Sequence, residues 1–495
     1  MNLANIIEGH AGEHTALISR GGETTYGALR DQVAGVRGGL AALGVGEGDH
    51  VGLLIANNRY FVVSYLAVLG LGAVAVPLNP TSPAPELERE LAAVGASAVI
   101  VGPTAIAAWR NIDRAAVPTV QHVIAAESEL AGTAVLDALM NSTPVPVVDV
   151  DPDHLAVLIF TSGTAGSPRA AMLSHGNLMA SIEQVIATES ATTSGDVVYG
   201  VLPMFHIFGL NVVLGVSLAV GATVVLVQRF DPSTALETIR ERHVTVVPGA
   251  PPMWVAFSTF EDAPNDSFAS VRVAFTGAAK MPEEAIRRLE SRFGIQLAEG
   301  YGLTEASPTV TSSSGISIRV GSVGKVLDGV DVRIVDDNED DVLDGDAGEI
   351  WVKGPNVFKG YLDDPEATAR VLTGNGWLRT GDIGVTDADG YLYLIDRAKD
   401  LIIVSGFNVY PQEVEDVLAG HPGVAEVGVI GVSHPQSGEA VKAFVVPKPG
   451  VQLDEDDLIE HCTNELARYK CPSKILFVDQ LPRNVSGKLL RRSLM

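Results

Sequence analysis

Helix-like and strand-like segments alternate through two long regions of the chain, residues 25–120 and 154–300. Short apolar runs bounded by turn residues mark the strands, and segments with helical periodicity separate them. The expected strands lie near 50–55, 98–101, 157–160, 198–201, 223–227, 244–247 and 272–276. Parallel strands need crossover connections, so the alternation predicts an α/β fold in which helices cover parallel sheets.

The pattern changes near residue 320, where apolar and charged residues begin to alternate singly. Residues 330–334 and 349–353 show this period of two, which is typical of antiparallel strands with one wetter face. A small unit follows, with helices expected at 411–419 and 454–467 and strands at 425–431 and 440–446. Since 495 residues exceed what one core normally holds, we predict domains at 1–396 and 397–495.

The charge balance restricts the partners of the chain. A formal net charge of −26 argues against nucleic acid as a partner. The C-terminal end is an exception, because seven Lys and Arg residues from Arg468 onward stand against one acidic residue, Asp479. Apolar residues, Pro and Gly interrupt these charges, so a cap over phosphate groups is favoured over a solubilising basic tail.

Membrane insertion and secretion are not expected. The apolar stretch 61–78 is interrupted by Gly70 and Gly72, and we interpret it as a buried helix, turn and strand rather than a transmembrane segment. The N-terminus lacks a basic start followed by a long apolar run, so a cytoplasmic location is expected. Two cysteines, Cys462 and Cys471, are too few for a disulfide framework or a four-thiolate metal site.

A loop rich in glycine and hydroxyl groups, FTSGTAGSPR at 160–169, is a candidate phosphate-binding site. An apolar strand precedes it, and a helical segment at 178–188 follows. Its two glycines allow close backbone approach, its hydroxyl and amide groups can donate to phosphate oxygens, and Arg169 adds a positive charge. The loop lacks the Lys of a Walker motif, and a surface linker is the alternative interpretation.

Five further motifs follow the loop in order. They are YGLTE (301–305), TGD (380–382), DRAKD (396–400), SGFN (405–408) and NVSGK (484–488). Together with the loop, this series resembles the adenylate-forming superfamily, which comprises acyl- and aryl-CoA synthetases, peptide-synthetase adenylation domains and luciferases. The resemblance covers essentially the whole chain and is strongest to a fatty-acid–CoA ligase.

The resemblance implies a fold and a reaction. The fold is a large N-terminal domain of two α/β sheet subdomains and a small β-barrel-like subdomain, followed by a small mobile α+β domain. The reaction uses ATP and Mg²⁺ to convert a carboxylic acid, in particular a fatty acid, to an acyl-adenylate, and then transfers the acyl group to CoA. Acyl transfer to a carrier-protein thiol and a non-catalytic nucleotide-binding role are the alternatives. A monomer and a homodimer both stay open.

The resemblance also implies an ATP site. Tyr301 would stack on adenine, Asp382 would accept the ribose hydroxyls, and Arg397 would contact ribose or phosphate. The family usually has Lys-Gly where this chain has Arg169 followed by Ala170, and Arg keeps the charge. The full implied set is Thr161, Ser162, Gly163, Thr164, Gly166, Arg169, Gly277, Ala278, Ala279, Glu299, Gly300, Tyr301, Gly302, Thr304, Asp382 and Arg397.

Catalytic and acyl-binding roles follow from the same resemblance. Lys488 would neutralise charge during adenylation, Thr304 would donate to phosphate, and Glu305 would bind Mg²⁺. Lys399 would be the hinge about which the C-terminal domain rotates. The loop Ser405, Gly406, Phe407 and Asn408 would then complete the thioester site, and Arg468, Lys470 and Lys474 could hold CoA phosphates. The implied acyl pocket contains His206, Phe208, Gly209, Ala250, Ala278 and Ser307.

Overall fold

The computed structural model describes residues 1–20, 22–126, 130, 133–161, 169–278, 281–336, 338–343, 345–397, 402–482 and 494, without the side chains of 395–397, 408 and 412. Within these ranges a π-helix spans Phe208–Gly215. The α-helices are α1 (Tyr26–Ala42), α2 (Arg59–Gly70), α3 (Ala84–Ala93), α4 (Ile106–Arg110), α5 (Leu136–Leu139), α6 (His175–Ile186), α7 (Val216–Val220), α8 (Pro232–Glu241), α9 (Pro251–Thr259), α10 (Glu283–Phe293), α11 (Pro365–Val371), α12 (Pro411–Ala419) and α13 (Glu455–Glu465).

The described strands range from two residues, as in β7, to the eleven residues of β23. They are β1 (Thr15–Ser19), β2 (Gly22–Thr25), β3 (His50–Leu54), β4 (Val74–Pro77), β5 (Ala98–Val101), β6 (His122–Ala125), β7 (Ala134–Val135), β8 (Leu155–Thr161), β9 (Arg169–Ser174), β10 (Val197–Gly200), β11 (Thr223–Leu226), β12 (Val246–Gly249), β13 (Val273–Thr276), β14 (Leu297–Gly302), β15 (Thr309–Ser312), β16 (Lys325–Val326), β17 (Asp331–Val335), β18 (Gly348–Lys353), β19 (Leu378–Thr386), β20 (Leu392–Arg397), β21 (Ile402–Val404), β22 (Phe407–Val409), β23 (Val424–His434), β24 (Gly438–Pro447) and β25 (Lys474–Phe477).

Two large sheets form the N-terminal part and confirm the predicted α/β class. The first has the order β7-β6-β5-β3-β4-β8-β9, and only its last pair, β8 with β9, is antiparallel. The second has the order β16-β15-β14-β13-β12-β10-β11-β1-β2, and its middle pairs, from β14 to β1, are parallel. Its outer pairs are antiparallel.

Helix α2 shows why the apolar stretch 61–78 need not cross a membrane. Its residues from Tyr60 to Gly70 are all buried, so the helix is apolar on every face and lies inside the protein core. The Asn58 side chain caps it by accepting a 3.1 Å hydrogen bond from the Phe61 N–H. Strand β4 follows, which confirms the predicted helix–turn–strand unit. Within the described ranges, no helix is long and apolar enough to cross a membrane.

The remaining sheets are smaller. Strands β17-β18-β19-β20 form an antiparallel sheet, where the period of two predicted antiparallel strands. The last sheet has the order β22-β21-β24-β23, with β25 parallel to β24. Helices α12 and α13 pack on it through buried residues such as Val414, Leu418 and Leu458, so this unit has a core of its own. The predicted domain boundary at 396–397 falls at the end of β20 and stays a prediction.

One local prediction is incomplete. The sequence indicated a strand, a loop and then a helix around residue 165, but a second strand, β9, intervenes before α6. Its apolar residues Ala170, Ala171 and Leu173 are buried, and β9 pairs antiparallel with β8 from Thr161 opposite Arg169 to Leu155 opposite Ser174. The candidate phosphate loop therefore connects two paired strands at the edge of the first sheet. Ser174 starts α6 with a capping box.

Candidate active site

Two neighbouring strands of the second sheet, β13 and β14, end in one cavity, and β12 ends next to them. Strands β12, β13 and β14 are parallel and in register, so their carboxyl ends meet at one edge, where open α/β sheets usually bind ligands. The cavity has a volume of about 430 Å³. The sequence-predicted residues that line it are His206, Phe208, Gly277, Ala278, Glu299, Gly300, Tyr301, Gly302, Thr304, Glu305, Asp382 and Gly406.

A tyrosine and an aspartate from distant motifs meet at one corner of the cavity. The Tyr301 hydroxyl donates a 2.7 Å hydrogen bond to Asp382 Oδ2 across 81 residues of sequence. Thr380 fixes the turn before Asp382, because its Oγ1 accepts from the Asp382 N–H at 3.1 Å and donates to a carbonyl at 2.7 Å. The backbone of Arg397 lies opposite Asp382 on β20. A flat ring beside a carboxylate acceptor suits a base and its ribose hydroxyls.

Glu305 provides a carboxylate inside the cavity. The Tyr361 hydroxyl donates a 2.7 Å hydrogen bond to Glu305 Oε1. Burial raises the pKa of the Glu305 carboxyl above its usual range, Asp382 adds to the rise, and the bond from Tyr361 opposes it. Among the described residues, no group of three His, Cys, Asp or Glu side chains could hold a metal alone. A single carboxylate such as Glu305 suits a hard cation that brings phosphate oxygens as further ligands, as Mg²⁺ does.

Replacing Tyr361 with phenylalanine is expected to weaken this carboxylate site. A hydrogen bond to a charged group contributes about 1.5–3 kcal/mol, so the adenylate formation that the motif series implies should fall about 10-fold or more at limiting Mg²⁺. The measurement is the rate of pyrophosphate release against Mg²⁺ concentration. Tyr391→Phe is the matched control, because its hydroxyl donates to the Ser317 carbonyl instead. Equal Mg²⁺ dependence in both variants would contradict the assignment.

Arg169 makes a contact that its position in the loop did not predict. Its Nε donates to Asp364 Oδ2 at 2.8 Å, and its guanidinium lies 5.7 Å from the centre of the Tyr361 ring. Asp364 also caps helix α11 by accepting from the Ala367 N–H. In this arrangement the guanidinium is bound by a carboxylate, so a phosphate at this end of the loop would compete with Asp364 for it.

The apolar wall of the cavity is built around His206 and Phe208. Burial lowers the pKa of His206 to about 4, so its ring is neutral at neutral pH. Phe208 begins the π-helix, a geometry frequent at functional sites, and its ring lies 6.0 Å from that of Phe275. Ala278, at the end of β13, has a φ of +71°, which is unusual for a residue with a side chain.

Three residues predicted for the acyl pocket do not line the cavity. A side chain at Gly209 would lie 2.2 Å from the Pro203 carbonyl oxygen, so this glycine serves close packing. Ser307 is fully buried, and its carbonyl accepts a 2.7 Å hydrogen bond from Asn211 Nδ2. Both residues thus pack at the π-helix that supplies Phe208 to the cavity. Ala250 instead faces the loop that contains Gly406.

The predicted thioester loop reaches the same sheet edge. Strands β21 and β22 form a hairpin whose two turn residues, Ser405 and Gly406, both have positive φ, +54° and +85°. This is the conformation of the turns that favour glycine at the second position. A Cβ at Gly406 would lie 3.3 Å from that of Ala250 and 3.6 Å from that of Ala278. The hairpin tip therefore packs against the carboxyl ends of β12 and β13.

Aromatic stacking continues from this hairpin along a smaller cavity of about 70 Å³. The Phe407 ring stacks on Tyr469 at 4.5 Å and on Phe205 at 6.2 Å. Its edge-to-face partner is His206, at 6.0 Å. Thr161 and Thr304 line the same small cavity, which thus joins the phosphate-loop end of β8 to the hairpin.

One predicted CoA-binding residue is placed differently. Lys470 is only 6% exposed, and its Nζ lies 2.6 Å from Glu86 Oε1 and 2.9 Å from Glu413 Oε1. The prediction that it faces a phosphate is therefore wrong for this arrangement, because two carboxylates already neutralise it. Lys474 is exposed at the start of β25, as expected of a solvent-facing cation.

Several predicted residues lie outside the described parts of the chain. They are Ser162, Gly163, Thr164, Gly166, Ala279, Lys399 and Lys488, together with the side chains of Arg397 and Asn408. In the other direction, sequence reasoning missed Tyr361 and Asp364, which organise Glu305 and Arg169. They precede a proline-started helix, α11, and their segment carries no periodic pattern, so only tertiary contact reveals them.

Comparison with known proteins identifies the family to which this chain belongs. A sequence profile of the AMP-binding enzyme family matches residues 4–362, and a profile of the AMP-binding enzyme C-terminal domain matches residues 413–488. The chain belongs to the AMP-binding enzyme family. As a member of this adenylate-forming superfamily, it has the fold that the motif series implied, with a large α/β part and a small C-terminal unit.

Individual relatives of this AMP-binding enzyme cover nearly its whole length. A feruloyl-CoA synthase of Amycolatopsis sp is 38% identical, over 97% of this chain and 95% of the relative. A 3-[(3aS,4S,7aS)-7a-methyl-1,5-dioxo-octahydro-1H-inden-4-yl]propanoyl:CoA ligase of Mycobacterium tuberculosis is 36% identical, over 97% and 95%. A solved Bacillus subtilis o-succinylbenzoate CoA synthetase, a double mutant bound to a product analogue, has a TM-score of 0.87, with 31% identity over 100% and 98%.

Proposed function

We propose that the protein is an AMP-forming acid–thiol ligase that activates a ring-bearing carboxylic acid and transfers it to CoA. The observation that carries the proposal is the meeting of two sets of residues at one sheet edge. Tyr301, Asp382 and Glu305 line the cavity, and so does Gly406 at the tip of the hairpin, which packs against Ala278. One cavity thereby contacts the groups needed for both half-reactions.

In the first half-reaction, the acid's carboxylate oxygen attacks the α-phosphorus of ATP. The new P–O bond replaces the bond to pyrophosphate, which leaves. Asp382 would accept from the ribose hydroxyls, Thr161, Thr304 and the loop at 162–168 would donate to phosphate oxygens, and Lys488 would neutralise the developing charge. Bound Mg²⁺ would stabilise that charge further, and Glu305 is the carboxylate placed to hold it.

In the second half-reaction, the CoA sulfur forms a C–S bond at the acyl carbon, AMP leaves with the carboxyl-derived oxygen, and the thiol proton passes to solvent. Phe407 and Thr304 both line the small cavity, which is the place we assign to the approach of the CoA thiol. The neutral ring of His206 borders both cavities, so it can pack beside the acyl carbon without adding charge. Rotation about Lys399 would exchange Lys488 for the hairpin.

Two observations support the proposed substrate class, namely the apolar lining of the cavity and the substrates named for the relatives. The lining includes apolar side chains from α6, the π-helix and α7, namely Val185, Phe208, Val212 and Val216. The names of the two CoA-forming relatives each describe a ring carried on a three-carbon acyl group. A ring-bearing propanoic or propenoic acid therefore fits better than the fatty acid that the motif resemblance implied.

The substrate class is tested with acids of equal size. 3-Phenylpropanoate and nonanoate have the same number of carbons, and only the first carries a ring. We expect kcat/KM for ATP-dependent pyrophosphate release to be about 10-fold or more higher with 3-phenylpropanoate, the discrimination typical of a shaped apolar pocket. Preference for nonanoate would restore the fatty-acid interpretation. Absence of pyrophosphate with any acid would favour a non-catalytic nucleotide-binding role.

A further inference from the structure

A buried cluster of charges joins helix α3 to the C-terminal unit. The side chains of Lys470, Glu86 and Glu413 are 7%, 4% and 6% exposed, and the two carboxylates bind the ammonium at 2.6 and 2.9 Å. Glu90, one turn after Glu86 on α3, is also buried. Two carboxylates thus bind one lysine, and a third buried carboxylate lies close enough to interact with it electrostatically.

The contacts of this cluster cross between the two parts of the chain. Glu86 bonds the C-terminal unit through both oxygens, because its Oε2 also accepts from the Ala467 N–H at 2.8 Å. Beside it, Arg89 of α3 donates to the Glu465 carboxylate at 3.2 Å and to the Glu465 carbonyl at 2.9 Å. These bonds exist only while the C-terminal unit has its present orientation.

The same orientation places the hairpin at the cavity. Tyr469 is the neighbour of Lys470 in the chain, and its ring stacks on Phe407 of the hairpin. Glu86, Glu90 and Lys470 line the small cavity together with Phe407 and Tyr469. The cluster and the thioester site are therefore parts of one interface, and a change at Lys470 would reach the hairpin through Tyr469.

We propose that Lys470 is a positioning residue for thioester formation: Glu413 of α12 fixes its ammonium group within the C-terminal unit, and its ion pair with Glu86 of α3 holds that unit so that the Gly406 hairpin faces the cavity. The inference rests on the proposed function, since it assigns an interface to the second half-reaction. Removing the lysine leaves buried carboxylates without their cation, which strongly disfavours this orientation. Once the unit rotates away, water solvates the carboxylates, so adenylation does not need Lys470.

Glu90 gives the interface a pH dependence. Burial raises the pKa of Glu90 to about 8, and the carboxylates of Glu86 and Glu413 raise it further while Lys470 and Arg89 lower it. Tyr469 also faces this group. A neutral Glu90 leaves two carboxylates on one lysine, whereas its ionisation above pH 8 adds a third buried charge. Thioester formation should therefore decline above about pH 8 in the wild type and decline less in Glu90→Gln.

The test separates the half-reactions in the full-length protein. Lys470→Gln is expected to slow thioester formation from supplied acyl-adenylate and CoA about 10-fold or more, with pyrophosphate release from acid and ATP within about 2-fold of wild type. Lys470→Arg should recover most of the loss. Glu86→Gln should likewise slow thioester formation and leave pyrophosphate release nearly unchanged. This second variant keeps the test decisive if Lys470→Gln does not fold. Lys448→Gln, an exposed lysine on the same unit, is the control.

A second readout does not depend on catalysis. The Ala467 amide donates to Glu86 Oε2, so hydrogen–deuterium exchange at residues 465–471 should increase in Lys470→Gln and not in Lys448→Gln. Unchanged exchange, or equal loss of both half-reactions in a folded variant, would overturn the positioning role. If the wild type released no pyrophosphate with any acid, the proposed function would be refuted. The hydrogen–deuterium exchange experiment would still decide whether Lys470 holds the interface.

Discussion

Replacing Lys488 with alanine is expected to reduce acyl-adenylate formation about 100-fold or more. In the proposed reaction its ammonium group neutralises charge at the α-phosphate and the attacking carboxylate, and removing such a contact costs about 3 kcal/mol of transition-state stabilisation. Lys488 lies outside the described residues, so the expectation comes from the SGK motif and from the C-terminal family profile, which matches through residue 488.

The measurement for Lys488→Ala is single-turnover pyrophosphate release, followed by thioester formation from supplied acyl-adenylate. The second rate should stay near the wild-type value, because the hairpin and not Lys488 serves that step. Lys448→Ala, which removes an exposed lysine from the same unit, controls for loss of charge alone. Equal loss of both rates would contradict the exchange of Lys488 for the hairpin.

Replacing Gly406 with valine is expected to give the opposite result. Its φ of +85° disfavours any side chain, a β-branched one most strongly, and the added Cβ would lie 3.3 Å from the Cβ of Ala250. Strain of about 1–3 kcal/mol in the orientation that packs the hairpin on the sheet edge should slow thioester formation about 10-fold to 100-fold. Adenylation should change little, because the proposed rotation would move the hairpin away from the cavity in that step.

Gly450→Val is the matched control for this variant. Gly450 belongs to the same unit and has a φ of +77°, but no atom lies within 4 Å of its added Cβ. It therefore carries similar backbone strain without the contact at the sheet edge. If Gly450→Val slowed thioester formation as much as Gly406→Val, the effect would come from destabilising the unit, and the hairpin would lose its assigned role.

The alternation of segments predicted most of the fold, because it depends on local patterns. Apolar runs and turn residues located β8, β10, β11, β13 and the helix–turn–strand unit α2–β4 to within a few residues. Strand β9 was missed because the sequence analysis expected the loop at 160–169 to lead into a helix. Only the pairing of β9 with β8 identifies it as a strand. The π-helix Phe208–Gly215 was missed because its apolar composition does not distinguish it from an α-helix.

The motif series located the cavity residues but not their mutual contacts. Tyr301 and Asp382 were each predicted for the nucleotide site, yet their hydrogen bond depends on how the antiparallel sheet packs on the second large sheet. Lys470 shows the limit most clearly. In the sequence it is one of several basic residues, and only the fold brings Glu86, 384 positions away, into contact with it.

If one cavity serves both half-reactions, the products formed with CoA present will show it. The purified protein would be incubated with 3-phenylpropanoate, ATP, Mg²⁺ and CoA, and the products separated by mass. The proposed function predicts one 3-phenylpropanoyl-CoA for each AMP and each pyrophosphate released. Pyrophosphate and acyl-adenylate without any CoA thioester would contradict CoA as the acceptor and would favour a carrier-protein thiol instead.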